Sequence, residues 1–198
     1  MNSFEQSLFA NMKSFDLDVP AETVSRLGEY YSLLTRWNDR LHLVAPCTPE
    51  EFAVRHILES LMLLKHLPTN ARVADIGSGG GLPIIPCLIA RPDLHATLIE
   101  SSQKKSVFLR EATRRFHATI IARPFEQVDP PPVGFVTCRA LDQFMQKLPA
   151  LIEWAPEGSS LLLFGGETLR EELRKAKVNS EAFLIPQSEK RFLFLATD

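Results

Sequence analysis

The stretch best suited to chemistry is Asp75-Ile76-Gly77-Ser78-Gly79-Gly80-Gly81-Leu82. It follows one short apolar run, 72–76, and opens another, 82–90. Glycine takes positive φ at little cost and lets a ligand come close to the backbone. A helix starting behind such a turn offers free N–H groups and partial positive charge. A dinucleotide site asks for Gly-x-Gly-x-x-Gly, and its third glycine falls on position 82, which is Leu82. The glycines stand instead at 77, 79 and 81, behind the acid at 75. Glu100 closes the next expected strand, where a carboxylate can accept hydrogen bonds from both hydroxyls of a ribose. A dinucleotide site and a glycine turn without ligand remain the other readings of the loop alone.

Elements must place these groups. From residue 72 onward short apolar runs alternate with helical patterns. Strands are expected over 72–76, 95–100, 118–122, 134–138 and 159–164. Helices are expected over 82–90, 103–116, 141–152 and 167–177. Such alternation predicts an α/β fold, a mostly parallel sheet covered on both faces. Runs 182–185 and 191–196 are joined only by a turn, which predicts an antiparallel C-terminal hairpin. Residues 1–70 read as a helical cap: 3–14, then Pro20 to Leu41 with Val24, Leu27, Tyr30, Tyr31, Leu34, Trp37 and Leu41 on one face. A third helix starts at Thr48-Pro49-Glu50-Glu51, a capping box, and runs to about His66. The expected organisation is a cap over 1–70 and a ligand-binding domain over 71–198, in one compact unit.

Composition narrows the function classes. In 198 residues, 45% hydrophobic and 23% charged is ordinary for a globular protein. The longest apolar run is nine residues and holds Pro83 and Pro86, too short for a bilayer span of about 20. No secretory signal is visible, and Cys47, Cys87 and Cys138 form no CxxC pair, so a cytoplasmic setting without a metal site is expected. Net charge is −2, yet Lys104, Lys105, Arg110, Arg114, Arg115 and Arg123 face only Glu111 within 101–123. A local basic patch can bind phosphates on a neutral protein. The bland reading is a solvated helix face.

The pattern around Asp75 and the glycines resembles motif I of class I S-adenosylmethionine-dependent methyltransferases. That cofactor has no pyrophosphate, and its carboxylate and ammonium call for a backbone loop plus an acid. Further stretches resemble one family, the bacterial 16S ribosomal RNA 7-methylguanosine methyltransferases (ribosomal RNA small subunit methyltransferase G, also called glucose-inhibited division protein B). They are Trp37-Asn38 with Leu41-His42-Leu43, then Arg55-His56-Ile57-Leu58-Glu59-Ser60-Leu61, and Gly77 to Pro83. Glu100-Ser101 with Lys104-Lys105 and Phe108-Leu109 follow, then Arg123 with Glu126, and Arg139-Ala140. The Arg-His-Ile-Leu-Glu-Ser-Leu stretch discriminates, because most class I methyltransferases lack it. The resemblance covers roughly residues 30–165. Phe125 replaces an acid on the adenine side, Gly165-Gly166 stands where the family has Lys-Gly, and His42-Leu43-Val44 replaces Asn-Leu-Thr.

The resemblance implies methyl transfer from S-adenosyl-L-methionine, leaving S-adenosyl-L-homocysteine, to N7 of a guanine in 16S ribosomal RNA near the decoding site. Guanine N7 carries an in-plane lone pair, so no general base is required. The expected cofactor residues are Asp75, Gly77, Ser78, Gly79, Gly81, Leu82, Glu100, Ser101, Pro124, Phe125, Glu126 and Arg139. Arg123, Arg139 and Glu126 are expected to position the reacting groups. RNA contacts are expected from Arg36, Arg40, Arg55, His56, Lys104, Lys105, Arg114, Arg115 and Arg123. The expected partner is 16S RNA or the small subunit, met by a monomer. The competing structural reading has Arg55 and His56 pinning the cap to the sheet, Trp37 in the core, and Cys87 and Cys138 as small buried apolar groups. The alternative function is a cofactor-binding module that docks on RNA or protein with weak turnover.

Overall fold

The structure is a computed structural model and describes residues 1–139, 141 and 143–197. Ala140 of the Arg139-Ala140 pair, and Asp142 within the expected helix 141–152, lie outside the described residues. Seven strands form one sheet in the order β3-β2-β1-β4-β5-β7-β6. They are β1 (Arg72–Ile76), β2 (His95–Ile99), β3 (His117–Ile121), β4 (Phe135–Cys138), β5 (Ser160–Gly165), β6 (Asn179–Leu184) and β7 (Phe192–Thr197). Strands β1 to β5 run parallel, as the alternation requires. The closing hairpin is antiparallel, and β7 inserts between β5 and β6. Its inner residues, Leu193, Phe194 and Ala196, are buried, which favours a central place over an edge.

The helices are α1 (Ser3–Asn11), α2 (Ala21–Leu41), α3 (Pro49–Phe52), α4 (Glu59–Leu61), α5 (Ile84–Ala90), α6 (Gln103–Thr113), α7 (Phe144–Trp154) and α8 (Glu167–Lys175). Thr48 and Glu51 close the expected capping box, with Pro49 in the first turn. The expected single helix from there is broken into pieces. A π-helical turn, Ala53–Leu58, joins α3 to α4, and a 3-10 turn, Met62–Lys65, ends the run. Helix α5 starts two residues later than the apolar run, because Gly81 to Pro83 continue the turn of the glycine loop. Pro86 sits in the first turn of α5, where a missing N–H costs nothing.

The cap packs through the same buried cluster as one face of the sheet. Phe4, Leu8, Leu27, Leu34, Phe52 and Leu58 join Val73, Ala96, Leu98 and Phe108. Trp37 packs edge-on to Phe108 at 6.0 Å, a core role. A second cluster on the other face joins Ile76, Ile99, Val136, Leu148 and Leu169. Strand order reverses between β1 and β4, so the carboxyl ends of these strands form the crevice where open α/β sheets bind ligands.

Candidate active site

The glycine loop leaves β1 into that crevice. Gly77 and Ser78 donate backbone N–H groups to the Ile99 carbonyl at 2.9 and 3.3 Å, tying the loop to β2. Gly77, Gly79 and Gly81 have φ of +68°, +53° and +80°. A side chain at Gly77 or Gly81 meets Leu141 or Ile85 at 2.5 or 2.2 Å, so these two glycines are demanded by packing as well as φ. A Cβ at Gly79 meets only the Gly77 carbonyl, at 3.7 Å, and points into open space. Behind the loop, the buried Tyr30 hydroxyl of α2 donates to the Gly80 carbonyl at 2.5 Å. The cap therefore braces the loop from its far side.

Two carboxylates flank the loop with different environments. Glu100 accepts from Gly79 N–H at 2.8 Å and from Ser102 N–H at 2.7 Å, one on each oxygen. The oxygen facing Gly79 keeps a further lone pair for a ligand hydroxyl, and the other also takes the Ser101 hydroxyl at a long 3.5 Å, a bond a ligand hydroxyl can replace. Asp75 is fully buried, and neither of its oxygens has a hydrogen-bond partner. Burial raises its carboxyl well above the usual carboxylate range, against a pull downward from the neighbouring Ser78 hydroxyl, and the Glu100 charge adds to the rise. An orphaned buried carboxylate beside a glycine loop that lets a ligand approach its backbone is what an ammonium-bearing ligand needs, so the residues fit S-adenosylmethionine. Ser78 is buried with its hydroxyl on the Asp75 carbonyl at 2.9 Å, and Leu82 is buried too. Ser101 is exposed beside Glu100.

The far wall carries the residues after β3. Pro124 precedes a 3-10 turn, Phe125–Gln127. The Phe125 ring is buried edge-on to Trp154 at 5.8 Å, so only its backbone can face a ligand. Glu126 is exposed and lies 3.6 Å from the Lys147 ammonium. Arg123 is exposed at the end of β3.

Arg139 follows β4 directly. Its guanidinium is turned into the cap junction instead of the crevice. It donates to the Arg55 carbonyl at 2.5 Å and to Glu59 at 3.1 Å, and lies 5.3 Å over the Phe164 ring. The π turn makes room for this. The Glu59 N–H bonds the Val54 carbonyl, so the Arg55 carbonyl is left for Arg139. Glu59 also bonds Arg191, which binds the cap to the chain just before β7. Burial pushes the Glu59 carboxyl up while the two guanidiniums pull it down, and burial wins. His56 is turned inward against Phe52, and its Nδ1 is buried without a partner. Burial, then the Arg139, Arg55 and Arg191 charges, lower its pKa to about 4, so the imidazole is neutral. Arg55 itself is exposed. Sequence reasoning missed Glu59 and Arg191 as a unit. The available signal was an acid between Leu58 and Leu61 on a buried helical face, which needs a cation.

The basic residues fall into two groups. Arg36, Arg114 and Arg115 line one groove of about 410 Å³ between α2 and α6, with Arg26, Glu29 and Glu111. Lys104 and Lys105 lie at the other end of α6, about 15 Å along the axis, beside Glu100. Arg40 is exposed at the end of α2. Among the described residues no helix is long and apolar enough to cross a membrane, and no cluster of three or more metal-ligating side chains occurs.

Comparison with known proteins fits this geometry. The profile of a family described as "rRNA small subunit methyltransferase G" matches residues 23–196. The Ribosomal RNA small subunit methyltransferase G of Gluconobacter oxydans is 39% identical over 167 residues, 81% of this chain and 84% of the relative. That of Methylobacillus flagellatus is 34% identical over 173 residues, 85% of this chain and 84% of the relative. Among solved structures, a SAM-dependent methyltransferase from Aquifex aeolicus superposes with a TM-score of 0.61 at 11% identity, over 84% of this chain and 98% of that one. M. jannaschii TYW2 in complex with AdoMet gives 0.56 at 15% identity, over 71% and 74%. At such identities the structural likeness shows the fold alone. The sequence matches carry the assignment: this chain belongs to the rRNA small subunit methyltransferase G family and is an S-adenosylmethionine-dependent methyltransferase.

Proposed function

We propose that the protein methylates N7 of a guanine in 16S ribosomal RNA near the decoding site, acting as a cytoplasmic monomer. The observation that carries the cofactor half of this reading is the pairing of a buried, partnerless Asp75 with the glycine loop and Glu100 at adjacent strand ends. S-adenosylmethionine supplies a methyl group already activated by a sulfonium. Asp75 offsets the ammonium charge, the glycine loop lets the amino-acid end of the cofactor come close to the backbone, and Glu100 accepts from the ribose hydroxyls. Ser101, Pro124 and the Phe125 backbone flank the adenosine. Arg123 orients the RNA, and Glu126 offsets positive charge on the methylated purine. Arg36, Arg40, Arg55, Lys104, Lys105, Arg114 and Arg115 contact phosphates, supported by the groove that gathers three of them. Rate comes from aligning N7, methyl carbon and sulfur, which is worth far more than any proton transfer here. The monomer is supported by the scatter of exposed large apolar side chains, which among the described residues are Met1, Phe9, Val107 and Leu184. Cys47, Cys87 and Cys138 are free thiols, as in a reducing compartment.

The test is transfer of labelled methyl to purified small subunits and to naked 16S RNA, followed by nucleoside analysis. The expected product is 7-methylguanosine at one position, formed at a single-turnover rate nearly flat between about pH 6.5 and 8.5. Label on an exocyclic amine or a hydroxyl, or a log-linear pH rise abolished by one substitution, overturns the N7 reading. Tight cofactor binding without transfer to any RNA leaves the docking-module reading.

A further inference from the structure

The β3–β4 connection holds no crossover helix. It consists of the 3-10 turn Phe125–Gln127 and the stiff run Pro130-Pro131-Pro132. The amino-terminal part of one face of β2 and β3 is consequently left open, while Ile99 on that face is buried in the second cluster and Ala96 and Leu98 on the other face lie under the cap and α6. A groove of about 320 Å³ lies on the open face at the amino ends of the strands, walled by Pro131, Pro132 and Val133. Its floor is ordered in two rows by the parallel register. Arg72, His95 and His117 are paired Cα partners across β1, β2 and β3, and Thr97 pairs with Thr119 one step along. The two imidazoles stack with centroids 4.7 Å apart and 22° between planes. Arg72, His95, His117 and Thr119 are exposed. No carboxylate among the described residues lines the groove, and Asp129 in the connector is exposed outside it.

A guanidinium with imidazole and hydroxyl groups and no acid among the lining residues, on a surface no helix covers, forms an anion site. We infer that this groove is a second RNA contact, holding sugar–phosphate backbone that extends away from the methylated guanine. The inference rests on the RNA-substrate reading above and names a surface that reading does not use. Charge complementarity selects the occupant: a guanidinium, two imidazoles and two hydroxyls suit successive phosphates better than an apolar or acidic partner. The geometry suits a running strand. Residues 117 to 123 of the edge strand and its exit span about 20 Å, from the groove to Arg123 at the active-site end. RNA leaving the active site over β3 reaches the groove without crossing the cap.

The test compares the full-length protein with an Arg72→Gln/His95→Gln/His117→Gln variant, measuring affinity for purified small subunits and naked 16S RNA across a salt series. The expected result is a salt slope lower by about one unit, from the lost guanidinium, with uniformly weaker RNA binding and unchanged S-adenosylmethionine affinity. Should the triple variant melt, Thr119→Glu places one carboxylate on the exposed floor and weakens RNA binding by repulsion. Unchanged slope and affinity in a folded variant overturn the inference. Loss of nickel-ion binding alone, with RNA binding intact, also overturns it and leaves the histidine pair as an incidental chelator. A wild type that binds RNA through the groove but methylates none of it sinks the reaction reading and leaves the groove standing.

Discussion

Two junctions meet at the carboxyl ends of the central strands, and they are built from opposite materials. At β1 and β2 the glycine loop is held mainly by backbone groups: Gly77 and Ser78 on Ile99, Gly79 and Ser102 on Glu100. At β4 the cap is held by buried charge: Arg139 and Arg191 on Glu59. Backbone donors can be handed from protein to ligand with little loss, because each keeps a partner in both states. Buried charges allow no such exchange, since removing one strands the others. The first arrangement suits a site that must bind and release a cofactor on each turnover. The second suits a joint that must not open.

Breaking the charged joint gives the largest effect. Glu59→Ala leaves two guanidiniums facing a vacated buried pocket, and about 3–5 kcal/mol of stability is expected to go, read as a fall in the denaturant midpoint. Replacing Glu59 and Arg139 together by Leu and Met should recover part of that loss, because the one guanidinium left without its carboxylate, Arg191, is about a third exposed and can turn to water. A single-variant loss below about 1 kcal/mol would show that the joint carries no weight.

The same joint makes stability depend on pH through His56. Its folded pKa, about 4, lies below the ordinary value of 6.5. Between these values the unfolded chain takes up a proton that the folded chain refuses. The neutral imidazole is therefore accommodated fully above about pH 6.5, and stability falls as pH drops toward 4, by up to about 3 kcal/mol. Glu59 and Asp75, both raised, slope the other way, so the diagnostic is the difference between wild type and His56→Gln. That difference should grow with acidification. A constant offset from pH 4 to 7 removes His56 from the account.

At the backbone-built junction, Glu100→Ala should leave the fold in place and weaken S-adenosylmethionine binding by about 1.5–3 kcal/mol, by calorimetry. Unchanged affinity in a folded variant sinks the ribose assignment.

This contrast also explains what the sequence made legible. The glycine loop and Glu100 lie within 26 residues of one another, and their geometry follows from local φ requirements and a strand–turn–helix pattern. The parallel sheet follows from alternation alone. Arg139 could be placed at a strand end but not aimed, because its partners at 55 and 59 lie some eighty residues away and Arg191 enters from the opposite end of the chain. The π turn that frees the Arg55 carbonyl leaves no mark in hydrophobic spacing. Nor does the insertion of β7 beside β5, since a hairpin pattern specifies pairing within itself and not which strand docks inward.

The smallest expected effect sharpens the comparison most, because it has the opposite sign. Asp75 belongs to the ligand-exchanging junction yet is a buried ionisable group, and neither of its oxygens has a hydrogen-bond partner. Its folded pKa lies above the unfolded one, so the free protein is penalised as pH rises past the unfolded value and the buried group is driven to ionise. Asp75→Asn removes the charge and keeps the shape. The free variant should be more stable than wild type by about 1 kcal/mol, with the gain increasing from pH 5 to 8, while its affinity for S-adenosylmethionine falls. Stability would then have been exchanged for a carboxylate held ready for an ammonium group. If Asp75→Asn is destabilised in the free protein at every pH, the carboxylate supports the loop directly, and the two junctions are less different than their geometry implies.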